Sequence, residues 1–78
     1  MATLDQKILL AHARGDGNRL AGLYLQAANE KQLLGNIDAT CFFLTQAYVF
    51  ALEAGSDLVP EINCRLVEQG REEPLKDW

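Results

Sequence analysis

Few residues in this 78-residue chain have side chains suited to binding a metal or attacking a substrate, and His12, Cys41 and Cys64 come first among them. A transition-metal centre needs several nitrogen, sulfur or carboxylate donors at close spacing. His12 is the single histidine, and the two cysteines stand on different predicted helices with no CxxC spacing, so the sequence predicts no metal centre and no redox pair. Both cysteines read as small buried hydrophobes. Helical spacing would allow an Asp16–His12 contact. The simpler expectation is a surface histidine near a helix C-terminus, where the helix dipole favours it.

"GDGN" at 15–18 invites comparison with a calcium or phosphate loop. It carries one acidic residue, lacks the GxGxxG and Walker spacings and follows no strand, so it reads as a turn. Asp38 and Glu53 are too far apart on the third helix for acid–base work, and Glu72 and Glu73 fall in a loose tail. The stretch "EQGREEP" reads as a solvated helix end. No nucleophile, base and oxyanion donors assemble from these residues. The expectation is a binding protein without catalytic activity, metal or cofactor.

Charge and hydropathy narrow the partner. A net charge of −4 with a pI near 4.7 argues against nucleic acid, whose phosphates demand a basic patch. The seven Lys and Arg are scattered, with no run to face an anionic bilayer. The opening "MATLDQKILLAHARGDG" has neither a basic n-region nor a long apolar stretch, so no signal peptide is read. Reduced thiols and a cytoplasmic location are the matching expectation. The start at Met1 and the lack of a tag suggest a complete small protein.

Glycines set the architecture. Gly15, Gly35, Gly55 and Gly70 each follow a stretch of helix formers, where a left-handed cap costs glycine no Cβ clash. Four helices are predicted over residues 4–14, 18–34, 37–54 and 58–69, with a loose tail at 71–78 anchored at most by Leu75 and Trp78. Thr3 and Gln6 have the spacing of a capping box. Asn36 or Asp38 caps the third helix, and Ser56 or Asp57 the fourth, whose first turn tolerates Pro60. Leu4, Ile8 and Ala11, widened by Leu9 and Leu10, form the inner face of the first helix. Leu20, Leu23, Tyr24, Ala27 and Leu34 form that of the second, with Arg19, Gln26 and Glu30 outside. The fourth buries Val59, Ile62, Leu66 and Val67. No segment alternates apolar and polar residues between turns, so no sheet is expected. The fold class is all-α, one domain over 1–78, with short loops folding four helices into two antiparallel hairpins.

The third helix must position whatever surface the protein offers. Its sequence "ATCFFLTQAYVFALEAG" carries one charge, Glu53, yet is too short and too interrupted to span a bilayer, which takes about 20 apolar residues. Ala39, Phe43, Ala47, Phe50 and Ala54 share one arc at 100° per residue, predicted to pack on Leu20, Leu23 and Tyr24. Cys41, Leu44, Tyr48, Ala51 and Leu52 extend that arc. Phe42 and Val49, with Thr45 beside them, fall among the polar residues on the other side. Either the fourth helix lies over them or they form a contact surface for a partner or a second copy.

The stretch "RLAGLY" with Leu20, Ala21 and Tyr24, then Ala27 and Ala28, "GNID", Ala39, Phe43 and Ala47, resembles a tetratricopeptide-like or Sel1-like helical hairpin. The resemblance covers about half of the chain. The helix before Gly35 is longer than the family's by "NEKQLL", and at most one and a half units are present, where such repeats need about three. What the resemblance implies is a protein-interaction module and no catalytic residues. The expected function is protein interaction or self-association, as a homodimer through Phe42, Thr45 and Val49. The alternative is a regulatory subunit or binder of a small apolar ligand, in a pocket lined by Phe43, Tyr48 and Phe50.

Overall fold

The computed structural model describes residues 2–75. Four helices follow in order, α1 (Leu4–Arg14), α2 (Gly17–Leu33), α3 (Ile37–Ala54) and α4 (Val59–Glu68), and no strand occurs among the described residues. The fold is all-α, a small four-helix bundle.

Local chemistry sets most helix ends. Thr3 Oγ1 accepts the Gln6 N–H at 3.2 Å while Gln6 Oε1 accepts the Thr3 N–H at 2.8 Å, closing a capping box on α1. Asp16 caps α2 by accepting the Arg19 N–H at 3.2 Å, and Asn36 caps α3 by accepting the Ala39 N–H at 3.1 Å. The acid of "GDGN" therefore satisfies a helix terminus whose first amides have no intrahelical partner. At the other ends of α1 and α3, Gly15 and Gly55 take φ of 65° and 63°, a conformation in which a Cβ would clash. Only α4 begins without a side-chain cap: Pro60 lies in its first turn, and Ser56 Oγ accepts the Leu58 N–H at 3.1 Å just ahead of it.

The two hairpins meet through α2 and α3, which share the most extensive helix contact; α1 packs on α2 and α4 on α3. Close approach follows from small residues, since Ala21 and Ala28 on α2 and Ala47 and Ala51 on α3 are all fully buried. Leu25, Leu44, Ile62 and Leu66 complete this main core. A second cluster joins Ala11 of α1 to Leu20 and Leu23, flanked by Leu4, Ile8, Tyr24 and Phe50. Thus α2 buries two adjoining arcs, one toward α1 and one toward α3 and α4. The result is a flattened molecule of 40 × 30 × 13 Å, whose shape leaves helix faces open.

Several inward assignments change. Leu9 and Leu10 are exposed, because α1 packs mainly on α2, with Phe50 of α3 at its edge, and covers only its Leu4–Ile8–Ala11 stripe. Leu34 is the C-cap residue of α2 and points into solvent. On α3 the buried line is Thr40, Cys41, Leu44, Ala47 and Ala51, while Phe43 and Phe50 are half-buried at its edge and Leu52 is exposed. Small side chains win the centre because the two long helices approach there too closely for rings. On α4, Ile62 and Leu66 are buried, with Val59 and Val67 partly so. Asn63, unremarked in the sequence, is buried with them. The tail is tied down through residue 75 by Asn63; Trp78, the other expected anchor, lies outside the described residues.

Candidate interaction surface

The outer face of α3 is built by helical periodicity. Phe42, Thr45, Val49 and Leu52 follow at i, i+3, i+7 and i+10, along about 15 Å of helix. They lie opposite the buried line of Thr40, Leu44, Ala47 and Ala51. Phe42 is 58% exposed, Val49 44% and Leu52 52%, so α4 does not lie over them. The Phe42 ring meets Phe43 edge-on, with centroids 5.3 Å apart, which limits its freedom to fold down onto its own helix. Thr45 Oγ1 donates to the Cys41 carbonyl at 2.9 Å. Its hydroxyl is thereby occupied within the helix, so the stripe offers apolar contact rather than a free donor. Asp38 and Glu53 flank it, and Asp38 pairs with Arg71 at 2.9 Å, an exposed ion pair of small energetic weight.

Leu52 extends the surface beyond the residues singled out from sequence. Periodicity places it at the far edge of the apolar flank, next to the polar side, and the structure leaves it 52% exposed because no helix covers that edge. A second exposed apolar group, Leu33, Leu34 and Ile37, gathers at the α2–α3 turn.

The other residues with chemistry are placed as follows. His12 Nε2 lies 3.0 Å from Tyr24 Oη, and its ring meets Phe50 and Tyr24 edge-on at 5.5 and 6.0 Å. Asp16, its suggested partner, is turned to the α2 cap instead. Cys41 is buried, but Cys64 is exposed, with its thiol 3.7 Å from Glu68 Oε1; α4 buries only the Ile62–Asn63–Leu66 side. Among the described residues no three His, Cys, Asp or Glu side chains come together.

Phe43, Tyr48 and Phe50 do not line a common pocket. Phe43 and Phe50 stack on Tyr24, at 6.2 and 5.8 Å, whereas Tyr48 faces α4 and its Oη accepts from Asn63 Nδ2 at 3.2 Å. The cavity between α2, α3 and α4, bounded by Gln32, Thr40, Leu44 and Arg65, has a volume of about 30 Å³, room for a water molecule. Arg65 closes it by donating to Asn29 Oδ1 at 2.7 Å and to Gln32 Oε1. No described helix is long and apolar enough to cross a membrane.

Comparison with protein-family models finds no matching family, and comparison with curated proteins and with solved structures finds no significant match.

Proposed function

We propose that this protein is a small helical interaction module that works by docking a partner helix, most simply that of a second copy, along Phe42, Thr45, Val49 and Leu52. One observation carries the reading: three large apolar side chains stand about half exposed in one line on the most apolar helix of the chain. Fully burying such a side chain stabilises by roughly 1.5–3 kcal/mol, so covering the exposed half of each contributes about half of that. A two-fold axis brings the same stripe from both copies together and closes the assembly. The tetratricopeptide-like or Sel1-like pattern of α2 and α3 supports the same class of role. Catalysis is left out of this reading, in which His12, the single histidine, is engaged by Tyr24. Two unpaired cysteines suit a reducing, cytoplasmic setting. An apolar small ligand ranks lower, since Phe43 and Phe50 stack on Tyr24 while Tyr48 faces α4, so the three rings do not share a pocket.

Sedimentation velocity across the micromolar range tests the reading on wild type and Phe42→Glu. A wild-type dimer that Phe42→Glu converts to folded monomer is expected. Folded monomers for both rule out the homodimer.

A further inference from the structure

Asn63 is 5% exposed on α4, surrounded by core, and its hydrogen bonds are directed outward from the helix. Nδ2 donates to Tyr48 Oη at 3.2 Å and to the Glu73 carbonyl at 2.9 Å, and Oδ1 accepts the Leu75 N–H at 3.2 Å. In an extended chain the C=O of one residue and the N–H two residues on point to the same side. One planar amide can therefore close both bonds, as a neighbouring strand would. Pro74 lies between them on the side turned away, where its missing N–H costs nothing.

Apart from the Arg71 N–H, which donates to the Leu66 carbonyl at 2.9 Å where the helix ends, little else holds this segment. Residues 71–75 are all exposed, and the Arg71–Asp38 ion pair is exposed at both ends. The grip is main-chain recognition, and removing the segment would leave the Asn63 amide with Tyr48 as its one remaining partner of the three. We infer that Asn63, oriented by Tyr48, forms a binding site for an extended peptide with proline at its centre, and that residues 73–75 fill it as a displaceable internal ligand. The fitting partner is a protein segment of x-Pro-apolar type, offering a carbonyl and an N–H on either side of the proline. This site is separate from the Phe42 stripe and does not depend on it.

Leu75→Pro in the full chain tests this, because it deletes the N–H that Asn63 Oδ1 accepts and leaves the helices untouched. The ¹⁵N-labelled protein is titrated with an unlabelled peptide of residues 71–78. Saturable shifts of the Asn63 side-chain amide are expected, at about ten-fold lower peptide concentration than in wild type, whose tethered segment competes at high effective concentration. Adding Asn63→Ala should abolish them. A folded Leu75→Pro protein whose Asn63 resonances do not move overturns the proposal. So does loss of binding in Phe42→Glu, which would place the peptide on α3. Should Leu75→Pro not fold, wild type with excess peptide decides. Its own Leu75 amide must shift toward the free-peptide position and lose exchange protection, and an unmoved Leu75 amide refutes the idea.

Discussion

Replacing Ala47 with leucine tests the packing of α2 against α3 at its tightest point. Ala47 has no exposed surface and shares its cluster with Ala21, Ala28 and Ala51, which are equally enclosed. A leucine adds three carbons where the helices are held together by methyl groups. Either the helices separate, pulling Leu25, Leu44 and Ile62 out of contact, or the new side chain takes a strained rotamer. Overpacking of this kind costs about 1–3 kcal/mol. A chain of this length has a total stability of about 4–12 kcal/mol, at 0.05–0.15 kcal/mol per residue. Each kcal/mol lowers the midpoint of so small a domain by about 4–8 °C, so Ala47→Leu should melt roughly 5–20 °C below wild type. Far-UV circular dichroism at 222 nm measures this directly. Midpoints within about 2 °C of each other would mean there is space at Ala47, and the close α2–α3 approach would be wrong.

The thiols and the caps give two further tests. Cys64 should react with a thiol reagent in the native protein at nearly the rate of a free cysteine, while Cys41, buried on α3, should react only after unfolding; mass spectrometry of the labelled protein distinguishes one adduct from two. Asn36→Ala removes the acceptor for the Ala39 N–H and should cost about 0.5–2 kcal/mol in urea unfolding. A loss below a few tenths of a kcal/mol would show that the cap does not hold α3 in place.

The helices themselves were legible in the sequence because their ends are local. The Thr3–Gln6 box, Asn36 ahead of the third helix, and Gly15 and Gly55 behind the first and third act within a few residues of chain. Predicted and observed bounds accordingly agree to within one residue at every end. Phe42 and Val49 stood out because they interrupt the polar side of an otherwise apolar helix.

Burial on the longer helices was decided by tertiary structure. Where a helix is apolar almost all round, as α3 is, periodicity cannot choose between the Phe43–Phe50 arc and the Leu44–Ala51 arc. The choice falls to helix separation, and the alanines of α2 draw the smaller residues of α3 to the centre. Leu9, Leu10 and Leu34 are as apolar as any core residue, yet no helix covers them, because α1 packs mainly through its Leu4–Ile8–Ala11 stripe and α2 ends at its cap. Asn63 runs the other way, a polar residue buried because Tyr48 and a main chain ten and twelve residues later satisfy its amide. Sequence determines what a residue can bond to nearby. Which of its faces meets another part of the chain depends on contacts between distant segments, and those exist only once the four helices have packed.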